Sequence, residues 1–290
     1  MTATHTATLP KMLPSAGEAT ATAGPRAIPP VTLLEGATTR PHLTIKGLRK
    51  SFGTVPVYVG FDLDIPYGEI VSVFGPNGCG KSTLINMISG LMPFDAGEIL
   101  FDGKTIRETR IAYVFQNYRE ALFPWQRSLD NIHYPLRMLG IPKHERVRRI
   151  EKLVASFDLK FDLKRYPYEL SGGQQQTVSI MRSLVVEPEV LFLDEPFSAL
   201  DYEMTLTMRE QLQKVLADTK TTTLFVSHDL EEAVQLGDRV LLLTRRPSQI
   251  ADYMHVPLAK PRLPEILSDP QFVALKARAL HVFQQAVRAG

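Results

Sequence analysis

The spacing of hydrophobic positions changes along the chain and predicts the order of its strands and helices. From His42 onward apolar and polar residues alternate, most clearly between Val57 and Ile65. A period of two is typical of a half-buried strand, so this region is predicted to form an antiparallel β subdomain. Residues 97–103 predict another short strand, closed by a tight Asp-Gly turn.

Unbroken apolar runs predict fully buried strands at residues 70–74, 190–193, 223–226 and 240–243. Helical spacing separates the later runs, around residues 204–216 and after Asp229. This alternation predicts an α/β fold with a mostly parallel sheet wrapped by helices. Residues 117–186 read as mostly helical and are predicted to form a separate helical subdomain.

Two amphipathic helices are predicted outside this core. The first has an apolar stripe beside three arginines that are interpreted as a solvated face; the stripe is Val147, Ile150, Val154 and Phe157, and the arginines are Arg146, Arg148 and Arg149. The second belongs to a C-terminal extension at residues 256–290, with apolar positions Phe272, Leu275, Ala279, Val282, Phe283 and Val287. The sequence leaves open whether this helix packs on its own domain or binds a partner.

Residues 1–41 are rich in Ala, Thr and Pro and have no periodic apolar face, which predicts a disordered tail. The tail lacks the apolar core of a secretory signal. An organelle transit peptide is the alternative, but it is disfavoured because Arg26 and Arg40 are few and no amphipathic pattern accompanies them.

Composition narrows the classes of partner. The chain of 290 residues is 44% hydrophobic, enough for a sizeable core. Its 33 basic and 31 acidic residues nearly balance, so no broad nucleic-acid surface is expected. The single cysteine rules out an internal disulfide. No apolar run approaches the roughly 18 residues of a membrane span, so membrane association is expected to go through a partner or the surface.

The strongest chemical signal fits G-x-x-x-x-G-K-[ST] and lies between a predicted buried strand and a helical pattern. Its glycines let backbone N–H groups turn towards phosphate oxygens at a helix N-terminus. Lys81 adds a charge for the β- and γ-phosphates, and Ser82 offers a hydroxyl to Mg²⁺. The residues assigned to nucleoside triphosphate binding are Gly75, Pro76, Asn77, Gly78, Cys79, Gly80, Lys81, Ser82 and Thr83.

Cys79 lies within this loop, close to the N-terminus of the predicted helix. That setting can lower a thiol pKa. The alternative is a small residue that is merely tolerated in the loop. A thiol reagent that blocks activity, with protection by MgATP, is the expectation that follows from the first interpretation.

Two carboxylates end the apolar run at residues 190–193. Asp194 and Glu195 are therefore expected at the C-terminal edge of the sheet, where folds of this class bind ligands. Asp194 is predicted to hold Mg²⁺, and Glu195, which points differently, to take a proton from an attacking water. The alternative is that two acidic residues simply end a strand.

A second helix N-terminus that could bind phosphate is predicted at Ser171, Gly172, Gly173 and Gln174. Ser171 is interpreted as an N-cap, and the glycines free backbone N–H groups to face an anion. One nucleotide held by one loop does not need a second such terminus. This surplus suggests that the stretch serves the nucleotide of another subunit.

Residues 43–255 resemble the ATPase subunits of ATP-binding cassette (ABC) transporters, whose motifs they carry in the family's order. The resemblance implies an ABC ATPase domain at residues 42–255 that uses ATP and Mg²⁺ in a head-to-tail dimer. The stretch Ser171–Gln174 is similar to the family's signature motif, and Phe52 is similar to the aromatic residue that stacks on adenine. Gln116 resembles the Q-loop glutamine that senses Mg²⁺ and water. Asp201 resembles the D-loop aspartate, and His228 resembles the switch histidine. Outside this family context, Phe52 would be interpreted as a core residue and His228 as a structural one.

Finer features resemble the nitrate, sulfonate and taurine importer branch, notably Phe123-Pro124-Trp125 and Arg246-Pro247. That resemblance implies uptake of a small anionic solute, a second ATPase subunit, two permease subunits, a solute-binding protein, and a place on the cytoplasmic face of the cell membrane. An exporter cassette and a soluble, non-transport ABC ATPase are the alternatives. Thr177 stands where the family commonly has Arg. The loss of that arginine puts in doubt the usual tethering of the helix that follows the signature motif.

Overall fold

The computed structural model describes residues 40–157, 159–198 and 200–288. The predicted tail lies outside these residues except for its last two, and Pro41 already begins the first strand. The strands are β1 (Pro41–Phe52), β2 (Val55–Pro66), β3 (Ile70–Phe74), β4 (Ala96–Phe101), β5 (Ile111–Val114), β6 (Val190–Asp194), β7 (Thr222–Val226), β8 (Arg239–Leu243) and β9 (Ile250–His255). The helices are α1 (Lys81–Ile88), α2 (Tyr118–Ala121), α3 (Ser128–Met138), α4 (Lys143–Phe157), α5 (Gly172–Leu184), α6 (Tyr202–Thr219), α7 (Leu230–Leu236) and α8 (Pro270–Arg288).

Three strands form the sheet of the antiparallel subdomain, in the order β2-β1-β4. The predicted alternation in β2 is wrong at one point, because Val59 is 44% exposed whereas Tyr58 is buried. The pairing with β1 shifts register around Gly60, which has a φ of +68°. A bulge adds one residue to a strand, so side chains exchange faces across it.

The other six strands form a sheet in the order β5-β6-β7-β3-β8-β9. Five of them are parallel, and β9 is antiparallel to β8. Every residue of β3, β6 and β7 is buried, as the unbroken apolar runs predict. The C-terminal ends of these three neighbouring strands therefore share one edge of the sheet, which is where the predicted carboxylates and phosphate loop lie.

The helix α4 buries most of the predicted stripe, because Val154 is half-buried against the same core as Ile150 and Phe157. Its buried residues are Ile150, Leu153 and Phe157, whereas Val147 is 38% exposed. Of the neighbouring arginines, Arg148 is exposed, whereas Arg146 and Arg149 are half-buried. The prediction that these arginines form a solvated face therefore holds fully only for Arg148.

The C-terminal helix α8 packs on its own domain through Phe272 and Ala279, against α7, β8 and β9. The segment before α8 is anchored by Arg262, a buried residue whose guanidinium donates to carbonyl oxygens at the end of α7, including those of Val234 and Gln235. Burial lowers the pKa of Arg262 to about 10. Of the two interpretations left open by the sequence, the structure supports packing within the domain.

Candidate nucleotide site

The phosphate loop connects β3 to α1, and its predicted strand and helix are both present. Gly80 precedes the helix with a φ of +116°, a conformation that L side chains rarely adopt. The Lys81 Nζ atom donates to the carbonyl oxygens of Gly75 at 2.9 Å and Pro76 at 3.2 Å. The lysine ammonium is thus folded back over its own loop, close to the backbone that would surround phosphate.

Two side chains that are distant from the phosphate loop in sequence donate hydrogen bonds to its carbonyl oxygens. The Tyr58 hydroxyl donates to the carbonyl oxygen of Gly80 at 3.0 Å, and the Ser248 hydroxyl donates to that of Cys79. In a trans peptide the N–H points away from the C=O. The N–H groups of Gly80 and Lys81 therefore point away from these two hydroxyls. Sequence reasoning missed both residues, because the β2 bulge hid the face of Tyr58 and no local pattern marks Ser248.

The Cys79 side chain packs beneath the loop and is only 2% exposed. Burial raises the pKa of its thiol, and this effect outweighs the opposing charge of Lys81. Of the two interpretations left open for Cys79, the structure therefore supports the small packing residue and not the thiol with a lowered pKa.

Asp194, the last residue of β6, lies beside the start of α1. Its Oδ1 atom accepts a hydrogen bond from the Ser82 hydroxyl at 3.2 Å, and its Oδ2 atom lies 3.3 Å from the Tyr113 hydroxyl. Burial raises the pKa of Asp194, although both hydrogen bonds oppose the rise. Mg²⁺ prefers oxygen ligands and binds through one or two protein groups plus phosphates and waters, so Ser82 and Asp194 fit it.

Asp194→Asn is expected to raise the Tm of the ligand-free protein at about pH 8. A carboxyl whose pKa is raised in the folded state stabilises the fold when protonated, and that contribution is lost as the pH rises through the folded pKa. The gain should therefore shrink as the pH is lowered. Tyr113 can accommodate the amide, because its hydroxyl lies 2.9 Å from an alternative acceptor, Asn86 Oδ1.

Thermal melts of both proteins with and without MgATP test this expectation. The variant should lose most of the Mg²⁺-dependent part of the stabilisation. A variant that is less stable than the parent at every pH would show that the buried carboxylate carries no penalty.

Glu195 follows directly and has a φ of +47°, which turns its side chain out of the strand direction. The Gln116 Nε2 atom donates to Glu195 Oε2 at 2.9 Å, and His228 Nδ1 lies 3.5 Å from the same oxygen. The predicted glutamine, glutamate and histidine therefore meet at one point. Gln116, also predicted as a metal ligand, here contacts Glu195.

The signature-like stretch has the predicted cap. The Ser171 hydroxyl accepts from the backbone N–H of Gln174 at 3.4 Å, and the Gln174 side chain accepts from the N–H of Ser171 at 3.1 Å. A Cβ at Gly172 would lie 2.6 Å from the Tyr118 hydroxyl, and one at Gly173 equally close to Met204. The hydrogen bonds of this stretch are local, and none of those found among the described residues joins it to the phosphate loop.

The structure also shows the surroundings of three other residues that the sequence analysis discussed. Asp201 caps α6 by accepting from the N–H of Met204 at 2.8 Å. Phe52 ends β1 with 46% of its surface exposed, so it is not a core residue. The Thr177 hydroxyl donates to the carbonyl oxygen of Gly173 at 2.9 Å, a bond within α5 itself, and lies 3.2 Å from Met208 Sδ of α6.

A glycine-rich loop between a buried strand and a helix, with acidic residues at the end of a parallel strand two places along the same sheet, defines a nucleotide-binding protein of the P-loop class. Within that class, the family model "ABC transporter" matches residues 58–198. The taurine import ATP-binding protein TauB of Escherichia coli O157:H7 is 37% identical over 251 residues, which cover 84% of this chain and 98% of that protein.

Two further similarities support the assignment. The sn-glycerol-3-phosphate import ATP-binding protein UgpC 1 of Rhizobium johnstonii is 42% identical over 206 residues, 69% of this chain and 55% of that protein. The dimeric structure of MJ0796, described as a bacterial ABC transporter cassette, superposes with a TM-score of 0.64 at 28% identity, covering 75% of this chain and all of that one.

The chain therefore belongs to the ATP-binding proteins of the ABC transporter family, and the predicted cassette fold is confirmed. It spans just over half the length of the glycerol-phosphate relative. These relatives are named for different solutes, so the predicted branch is not confirmed. Among the described residues, no helix combines the length and apolar character needed to cross a membrane.

Proposed function

We propose that the protein is the ATP-hydrolysing subunit of an ABC importer and works as a dimer of two copies. The observation that carries this proposal is the meeting of Gln116, Glu195 and His228 beside Asp194 and the phosphate loop. A carboxylate that only ends a strand would not need both an amide donor and an imidazole in contact with the same oxygen, as Glu195 Oε2 has from Gln116 and His228.

Hydrolysis transfers the γ-phosphoryl group of ATP to water. Lys81 would bind the β- and γ-phosphates and offset their charge, and bound Mg²⁺, held by Ser82 and Asp194, would neutralise developing charge on the phosphate oxygens. The contacts of Gln116 and His228 both involve Glu195 Oε2. This geometry orients Glu195 so that Oε1 can accept the proton of the attacking water.

The second copy supplies what one chain lacks. Ser171 caps an exposed helix N-terminus whose free N–H groups suit an anion, yet its contacts are all local. Docked head to tail, the stretch Ser171–Gln174 of one copy would face the γ-phosphate held by the phosphate loop of the other. Phe52 would then stack on adenine, and Asp201 would lie near the shared interface. The dimeric MJ0796 cassette supports this arrangement.

The membrane partners would dock near Phe123-Pro124-Trp125. Trp125 is 72% exposed and its ring lies 5.4 Å from that of Phe123, which in turn packs against the guanidinium of Arg182 at 4.5 Å. Exposed aromatics of this kind are typical anchors of protein interfaces. Two permease subunits, a solute-binding protein and a position on the cytoplasmic face of the cell membrane complete the proposal. The proposed solute is a small anion, supported by the match along nearly the whole of the taurine importer protein.

Affinity purification of the tagged chain from solubilised membranes tests the importer proposal. The wild-type chain should be recovered with integral membrane subunits. Trp125→Ala should weaken that association by about 30-fold, as expected for an interface anchor, and should leave ATP binding unchanged. Recovery with ribosomes or DNA instead of membrane subunits would contradict the proposal and favour a non-transport ATPase.

A further inference from the structure

A buried ion pair lies behind the loop that carries His228. Arg209 of α6 and Glu232 of α7 are only 2% and 8% exposed. The Nη2 atom of Arg209 donates to Glu232 Oε1 at 2.7 Å, and its Nη1 atom donates to Gln235 Oε1 at 2.9 Å. Neither charged residue belongs to a motif that the sequence analysis singled out.

The other carboxylate oxygen of this pair reaches the loop itself. Glu232 Oε2 accepts a hydrogen bond from the Ser227 hydroxyl at 2.6 Å. The same hydroxyl oxygen accepts from the backbone N–H of Asp229 at 2.9 Å. Ser227 and Asp229 flank His228, so one hydroxyl fixes the backbone on both sides of the histidine.

We infer that Glu232, held in place by Arg209, is a positioning residue for His228. The inference rests on the proposed function, because it concerns the placing of His228 at the ATP γ-phosphate. Orienting the Ser227 hydroxyl through Glu232 fixes the loop, and the loop sets where the imidazole meets Glu195. A buried ion pair stabilises a fold weakly because of its desolvation cost, so a geometric role accounts for charges at this place better than stability does.

The pair also connects two parts of the proposed dimer. Asp201, which is predicted to lie near the shared nucleotide, caps helix α6, and Arg209 lies about two turns further along that helix. A shift of α6 on dimer formation would therefore act on Glu232 and Ser227. This arrangement gives a physical route from the interface to His228.

Three single variants test the inference by steady-state ATP hydrolysis. Ser227→Ala and Glu232→Gln should each lower kcat by about 10-fold or more, because each removes a charge-assisted hydrogen bond, while the KM for ATP changes less than about twofold. Glu231→Gln is the matched control, since Glu231 directly precedes Glu232 on α7 and pairs instead with Lys276 of α8. It should behave like the wild type. A Ser227→Ala variant with normal kcat would overturn the inference.

The double variant Arg209→Met with Glu232→Leu separates positioning from stability. Removing both charges leaves no unpaired buried ion, so Tm should stay near the wild-type value. The kcat should remain low, because the Ser227 hydroxyl keeps only the carbonyl oxygen of Asp229, 3.1 Å away, as an acceptor and no longer links the loop to the side chain on α7. Recovery of both Tm and kcat in this variant would show that the pair is only structural. A wild-type protein that does not hydrolyse ATP would instead contradict the proposed function, and this inference with it.

Discussion

Replacing Glu195 with glutamine is expected to lower kcat for ATP hydrolysis by about 10²- to 10⁴-fold, the range supplied by general base catalysis. Glutamine keeps the shape of the side chain and can still accept from Gln116, so the site should remain assembled. It cannot take a proton from water. ATP should therefore still bind, and the ATP-bound dimer should accumulate because hydrolysis no longer reopens it.

Phosphate release, equilibrium binding of ATP and size-exclusion chromatography measure these three effects. Glu189→Gln is the matched control, because Glu189 precedes β6 just as Glu195 follows it, and Glu189 pairs with Arg110 near the surface. This control should retain the wild-type rate. Ordinary turnover in the Glu195 variant would remove that residue from the role of general base.

Replacing Ser171 with aspartate is expected to abolish hydrolysis while preserving the fold. Aspartate is as good an N-cap as serine, and its negative charge suits the positive end of α5. Tm should therefore not fall. In the proposed dimer the same charge would face the γ-phosphate bound to the other copy, and repulsion between like charges should lower kcat by about 10²-fold or more.

Asparagine at position 171 separates charge from capping. It caps a helix as well as aspartate does but carries no charge, so Ser171→Asn should keep much of the wild-type activity. Each variant should bind ATP as a monomer with nearly unchanged affinity, because the phosphate loop is intact. If the aspartate and asparagine variants hydrolysed ATP equally fast, no phosphate would approach Ser171.

Local patterns in the sequence predict the parts of the site that lie close together along the chain. The phosphate loop needs a strand before it and a helix after it, and both are present at β3 and α1. The cap at Ser171 and the carboxylate at the end of β6 are also local, since they depend on one element each. These features follow from hydrogen bonding and burial within short segments.

Contacts between distant segments could not be predicted, because they depend on sheet order and on exact register. The strand order brings Tyr113 of β5 to Asp194 of β6, and no local pattern indicates this hydrogen bond. A single bulge at Gly60 turned Tyr58 inward to the phosphate loop. The pairing of Arg209 with Glu232 likewise needs α6 to pack beside α7.

The central claim is that each chain supplies half of two catalytic sites. The most direct measurement is the rate of ATP hydrolysis per chain across a dilution series, with the fraction of dimer determined in each sample by sedimentation. The rate per chain should rise in proportion to the dimer fraction and vanish where the protein is monomeric. A constant, full rate in samples that contain only monomer would contradict the account.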